Sequence, residues 1–324
     1  MYRKKMVKIL FVILCVMAVA VVAVTLFFQT PPFGRLPRGE RLERIRRSPN
    51  FRDGEFRNQE PTSLMTSEKG RWEAMLDFVF KKSPEGLRPE HPVPSVKTDL
   101  RALDPYRELL VWFGHSSYLL QMGGKRILVD PVFCSAAPVS FLNKPFPGTD
   151  IYRPEDMPDI DYLVITHDHW DHLDYGTVTQ LKGRVRKVVC PLGVGEHFEY
   201  WGYEPERLVE LNWNETAVPD SGFTVHCLPA RHFSGRGLRS NRTLWASFLV
   251  EAAGRKVYIG GDGGYGAYYA GIGERFPGIA LAVLENGQYN VDWRYIHTLP
   301  KHLHAEAEAL GPNGCSRCII PNMR

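Results

Sequence analysis

Thr166-His-Asp-His-Trp-Asp-His172 follows directly on the apolar run Asp161-Tyr-Leu-Val-Ile165. The run reads as a buried strand, and a short helix from Leu173 to Leu181 is expected beyond it. Between His167 and His172, every side chain except Trp170 is a histidine or an aspartate. While the backbone is still extended, alternation turns residues 167, 169 and 171 to one side. The turn that follows brings His172 into the same space. Imidazole and carboxylate are ligands that a Zn²⁺ ion accepts, and a cation makes crowded carboxylates tolerable. A solvated His-rich turn is the alternative, but such a turn has no reason to sit at the exit of a buried strand.

Three more residues stand at comparable strand exits, and a fourth stands before a helix. His232 follows Phe223 to Leu228, Asp262 follows Lys256-Val-Tyr-Ile-Gly-Gly261, and Asp130 ends Arg126-Ile-Leu-Val129. His297 lies in Arg294-Tyr-Ile-His-Thr298, just before an expected helix from Pro300 to Leu310. Each has an ordinary reading too. A lone histidine is more often structural than a ligand, and an aspartate among glycines can simply make an Asx-turn. Asp130 can merely end a strand before Pro131, and His297 can merely mark the start of its helix.

The H-x-H-x-D-H pattern after an apolar strand resembles the metallo-β-lactamase superfamily. Trp112-Phe-Gly-His-Ser-Ser-Tyr118, Ile127-Leu-Val-Asp-Pro131, Pro229-Ala-Arg-His-Phe-Ser-Gly-Arg236, Leu244-Trp-Ala-Ser-Phe248 and Gly260-Gly-Asp-Gly-Gly-Tyr265 narrow the likeness. They are similar to the branch that contains N-acylphosphatidylethanolamine-hydrolysing phospholipase D and its bacterial relatives. The match runs in order from about residue 33 to about residue 310. The resemblance implies an α+β fold, the four-layer αβ/βα sandwich, with a metal site on loops at one edge. It also implies that His167, His169 and His232 bind one zinc, that Asp171 and His172 bind a second, and that Asp262 bridges them. Asp130 and His115 would stand behind the ligands and orient them. Asp168 would brace the loop or accept a proton, and His297 would face the leaving side of the substrate. Two such ions polarise a phosphoryl oxygen and acidify water, so no serine or cysteine nucleophile is needed.

The chain departs from that family at its end. Relatives continue past the last helix into a strand and a Pro-x-His segment that supplies a final ligand. If Ile319-Ile-Pro321 is that strand, Met323 takes the histidine position, and a thioether is a poorer zinc ligand than imidazole. A truncated C-terminus, a weakly held second zinc beside a retained first one, and low or absent turnover are therefore expected, with His302 and His304 as possible substitutes. Cys315-Ser-Arg-Cys318 is a single C-x-x-C pair without a thioredoxin-like context, and the other cysteines stand singly.

Arg3, Lys4, Lys5 and Lys8 precede an uncharged stretch, Ile9 to Phe28. As a helix it would be about 30 Å long, the thickness of a hydrocarbon core. It is longer than a signal-peptide core, so residues 1–30 read as an uncleaved transmembrane anchor. Arg35, Arg38, Arg41, Arg44, Arg46 and Arg47 follow the span and oppose export, whereas the short charged N-terminus resembles a signal sequence. Export, with the catalytic domain periplasmic or extracytoplasmic, is the expectation. Residues 31–100 read as a linker and packing arm, with a helical patch at Trp72 to Phe80, or as an amphipathic element on the membrane surface. Residues 101–324 form the hydrolase domain.

From residue 109 the chain alternates short β-rich runs with loops. Strands are expected at 109–113, 117–121, 126–130, 161–165, 186–190, 223–228, 244–250, 256–260 and 279–284. A hydrophobic fraction of 44% and a charged fraction of 23% suit a folded enzyme. The net charge of +4 sits largely before residue 60, which argues against a nucleic-acid partner. The expected function is a membrane-anchored zinc phosphodiesterase acting on N-acylphosphatidylethanolamine-like phospholipids. A lactonase or carboxylic-ester hydrolase, and a metal-binding protein without turnover, are the alternatives.

Overall fold

A computed structural model describes residues 2–66, 73, 89–139, 143–286 and 290–317. The expected helical patch at Trp72 to Phe80, Glu73 apart, and the C-terminal stretch containing Met323 lie outside the described residues. Helix α1 (Tyr2–Phe28) buries none of its residues. Its most apolar window has a mean hydropathy of 3.2, long and apolar enough to cross a membrane. Helix α2 (Gly39–Arg46) and a small hairpin, β1 (Phe51–Arg52) with β2 (Glu55–Phe56), follow.

Two six-stranded sheets form the body, and they are built alike. The first runs β3 (Leu109–Gly114), β4 (Ser117–Met122), β5 (Lys125–Val129), β6 (Ile160–Val164), β7 (Val185–Pro191), β8 (Leu208–Leu211). The second runs β9 (Thr216–Asp220), β10 (Phe223–Leu228), β11 (Ser247–Ala252), β12 (Arg255–Ile259), β13 (Leu281–Leu284), β14 (Cys315–Arg317). Each begins as an antiparallel meander and ends in parallel pairs. Parallel neighbours need crossovers, and helices supply them. Those on the first sheet are α3 (Tyr175–Leu181) and α4 (Gly195–Tyr200); those on the second are α5 (Tyr268–Arg275) and α6 (Pro300–Leu310). Asp174 caps α3 by accepting the Gly176 N–H, and α6 starts on Pro300 and stops at left-handed Gly311.

Period-two alternation decides the layering. On β4, Tyr118 and Leu120 enter the core between the sheets, while Leu119 faces the helices. Val178, Leu181 and Phe198 cover the first sheet, and Ile272, Leu303 and Leu310 cover the second. The result is helix, sheet, sheet, helix: the expected four-layer αβ/βα sandwich.

The expected strands all form, with boundaries displaced by a few residues at most; expected 244–250, for example, becomes β11 from 247. The strands at 208–211, 216–220 and 315–317 were not foreseen. Thr216–Asp220 carries Pro219, which a sheet tolerates because β9 is its edge strand. Cys315–Arg317 has no apolar pattern and is specified by pairing with β13. The stretch expected as linker and packing arm enters the body itself. Ile45 and Phe56 are fully buried in the core between the sheets. Arg41 bridges Glu196 and Glu210 at 2.5 and 2.7 Å, and Arg44 reaches Glu215 at 2.6 Å. Several of the arginines that confused the membrane orientation are thus ion-pair partners of the folded domain.

Candidate metal centre

The chemistry-bearing residues gather at one edge of the sandwich, beyond the C-terminal ends of parallel and central strands. Asp130 follows β5, the His167–His172 loop follows β6, His232 follows β10, Asp262 follows β12, and Glu285 follows β13. His115 sits in the turn between β3 and β4. Strand exits supply backbone that has left its ladder but is still held by it, which fixes side chains without helix or sheet constraints. Close approach requires glycine at one point. Gly261 has φ +62°, and a Cβ there would stand 2.7 Å from that of Thr166.

His167, His169 and His232 form one group whose ligand atoms all lie within 4.8 Å of one another. His167 Nε2 is 3.0 Å from His169 Nδ1, which is 3.2 Å from His232 Nε2. The Nδ1–H of His232 donates to the Ile296 carbonyl at 2.7 Å, leaving Nε2 unprotonated toward the group. Burial, and for His167 its histidine neighbours, pushes His167 and His232 well below the usual imidazole range; burial also lowers His169. Three neutral imidazoles facing each other are what a cation binds.

Alongside lie His172, Asp262 and Asp171. His172 Nε2 is 3.1 Å from Asp262 Oδ1, yet neither atom has a hydrogen-bond partner. The opposite nitrogen of His172 contacts Asp130 Oδ2 at 2.8 Å. Burial opposes a charge on His172, but Asp262 and Asp130 outweigh it and raise the ring well above its ordinary range. Burial would likewise raise Asp262, but His172, His297 and His232 hold it well below the usual carboxylate range. The two carboxylates demand positive charge at this spot. His115 Nε2 lies 3.1 Å from Asp171 Oδ2, and His115, Asp171 and His172 make a further ligand group. The ring therefore stands level with the ligands, not only behind them. His115 and Asp130 both adopt left-handed backbone, at φ 45° and 40°, a strained conformation for non-glycine residues that clusters at functional sites.

Asp168 points elsewhere. Its carboxylate accepts from Gly235 N–H at 2.7 Å and Thr243 Oγ1 at 2.8 Å, and contacts His197 Nε2 at 3.2 Å. With both oxygens occupied it braces the ligand loop and is not poised as a proton acceptor. His297 is in place beside the centre, with Nδ1 3.8 Å from Asp262 Oδ2 and 2.5 Å from Glu285 Oε1. Burial opposes its charge, but Glu285 and Asp262 push its pKa up to about 9. Glu285 escaped the sequence reading, although it directly follows the apolar run Leu281–Leu284, the signal that marked Asp130 and Asp262. His302 and His304 do not join the centre. His302 stacks on Tyr265 at 4.9 Å, and exposed His304 contacts Glu308.

This donor set fits divalent ions: nitrogen and carboxylate ligands, orphaned buried atoms on His172 and Asp262, and outer nitrogens already held by the protein. The Beta-lactamase superfamily domain matches residues 125–314. The chain belongs to the metallo-β-lactamase superfamily. An uncharacterised protein from Mycobacterium tuberculosis is 40% identical over 259 residues, 78% of this chain and 68% of its own. N-acyl-phosphatidylethanolamine-hydrolyzing phospholipase D 1 of Caenorhabditis elegans is 34% identical over 198 residues, 56% of this chain and 54% of that one. The branch resembled by the motifs is thus the branch of this relative, about half of whose length the chain spans. A diiron β-hydroxylase from Streptomyces venezuelae shares the metallo-β-lactamase fold at a TM-score of 0.52 and 20% identity, covering 72% of this chain and 48% of that one.

Proposed function

We propose that this superfamily hydrolase is a two-zinc phosphodiesterase, anchored by α1, that cleaves N-acylphosphatidylethanolamine-like lipids at the phosphate ester. The observation that carries the reading is the run of overlapping ligand groups that links His169, His167 and His232 through Asp262 to His172 and Asp171. Divalent ions bound there supply Lewis acidity toward a phosphoryl oxygen and acidify water.

The chain's own residues do the rest. His232 and His172 are held in one tautomer by Ile296 O and Asp130, so each presents Nε2 to the ions. Asp262 lies in ligand groups with both His172 and His232 and would offset the repulsion between two dications held there. His297, paired with Glu285 at 2.5 Å beside Asp262, is placed to donate a hydrogen bond to the departing oxygen. Asp168 ties the ligand loop to the loop bearing His232 through Gly235 and Thr243.

The test is a purified full chain, assayed for metal by mass spectrometry and for products on an N-acylated phospholipid and a lactone in parallel. About two zincs per chain and release of phosphatidic acid with N-acylethanolamine are expected. Opening of the lactone with the phospholipid intact would replace this reading with carboxylic-ester hydrolysis. Iron in place of zinc would correct the metal, and a metal-free, inert chain would remove the enzyme.

A further inference from the structure

We propose that the mouth of the metal centre is held against the same bilayer that anchors the chain, with Leu238 dipping into it. This rests on the reading of α1 as a membrane anchor and of the metal centre as the hydrolytic site.

No slack separates the span from the body. Backbone bonds from Gln29 to Leu26 and from Thr30 to Phe27 close α1. The chain is then fastened at once: Trp201 Nε1–H donates to the Pro31 carbonyl at 2.8 Å, and the Arg35 N–H donates to His197 Nδ1 at 3.1 Å. Phe33 packs on Phe28 at 5.0 Å on one side and on Trp170 at 5.0 Å on the other. Trp170 lies between His169 and Asp171, and all three are partly exposed. The open side of the ligand loop therefore touches the end of the span.

Arg236 makes the junction rigid. Its guanidinium is buried, lies 4.1 Å over the Trp170 ring, and donates to Pro32 O at 2.8 and 3.1 Å. The same group donates to Asp168 O at 2.9 Å and Leu173 O at 2.6 Å, the two ends of the ligand loop. One side chain thus ties the span's exit to the loop that bears the metal ligands.

The loop carrying His232 reaches the same place. A Cβ on Gly237 would lie 3.7 Å from Phe33 and 3.9 Å from Phe28, and the next residue, Leu238, is 82% exposed. The headgroup layer is only about 5–8 Å deep on each side of the hydrocarbon core. Phe27, Phe28 and Phe33 then cluster at the end of the span, and Trp170, of a residue type favoured at that depth, packs on Phe33. Leu238 beside them enters the acyl-chain boundary. The substrate this geometry takes is an ester whose tails stay in the membrane while its headgroup rises to the metals.

Depth is measured in the full chain, reconstituted in phospholipid nanodiscs whose acyl chains carry bromine. The emission added by Leu238→Trp should be largely quenched. Tyr106→Trp, on the exposed turn beside Gly124 at the opposite edge of the sheet, should be untouched. If the chain fails to join the nanodiscs, both the anchor and this proposal fall. If it joins and Leu238→Trp is quenched by aqueous iodide instead of bromolipid, this proposal alone falls. No turnover enters the readout, so the placement at the bilayer is judged apart from the proposed chemistry.

Discussion

Asp130 holds both ends of the metal-ligand loop. Its Oδ2 lies 2.8 Å from His172 Nδ1 and accepts the Thr166 hydroxyl at 2.6 Å, while Oδ1 accepts the Thr166 N–H at 2.8 Å. Residue 130 adopts φ 40° at the exit of β5, and from there its carboxylate reaches both Thr166 and His172.

Asp130→Asn tolerates the same left-handed backbone, so the fold should survive. The amide cannot accept at both oxygen positions, and His172 loses its fixed tautomer. Affinity for the second metal should drop by about 10- to 100-fold. Competition with a chromophoric chelator measures this, and an unchanged affinity would reduce Asp130 to a strand ending.

His167→Ala and His169→Ala each remove one of three imidazoles from the first metal position. Metal retention and hydrolysis should fall together below detection, with near-native circular dichroism. Normal zinc content with full turnover in either variant would take away the centre of the functional reading.

Asp262 faces His172 at 3.1 Å and His232 at 3.8 Å, one from each ligand group. Asp262→Asn keeps the shape and removes the charge that lets two dications sit close together. Stepwise metal titration should show one site retained and the other weakened. Two sites of parental affinity would mean that Asp262 only shapes the glycine turn.

Phe56, which precedes the hydrolase domain as the sequence divides it, is fully buried between the sheets. Phe56→Ala should cost about 3–5 kcal/mol of stability. Urea unfolding of the detergent-solubilised chain checks this, and a loss below about 1 kcal/mol would return the segment to a surface arm.

The strands were legible as short apolar runs, three of which lead into Asp130, the His167–His172 loop and Asp262, and the sandwich they build was implied by the resemblance. Leu208–Leu211 and Cys315–Arg317 were not, since their neighbours specify them and their side chains do not. The packing of Ile45 and Phe56 was hidden for a related reason: isolated apolar residues among arginines have no period to read. Glu285 had a readable strand-exit position and the resemblance allowed Asp168 a bracing role, but their partners, His297, Gly235 and Thr243, stand apart from them in sequence. Chemistry concentrated in one short loop can be read directly; chemistry assembled from single residues needs the fold.

Glu306 gives a pH test away from the metal ligands. Thr298 Oγ1 lies 2.7 Å from Glu306 Oε1 and 2.8 Å from the Gly263 carbonyl, but a hydroxyl has one proton. If it donates to the carbonyl, Glu306 must donate to it, and the carboxyl must be protonated. Burial agrees: it outweighs the Thr298 bond and, with Glu285 nearby, pushes the Glu306 pKa up to about 8 from its ordinary 4.5. Between those values the folded chain holds a proton that the unfolded chain has lost. Stability present below the lower value is therefore lost as pH rises through the upper one, by at most about 1.4 kcal/mol per unit. Glu306→Gln keeps a donor for Thr298 and removes the ionisation. The variant should flatten the stability profile across that window and be more stable than the parent above pH 8. Parallel pH–stability profiles for the two proteins would show that Glu306 is ionised in the fold.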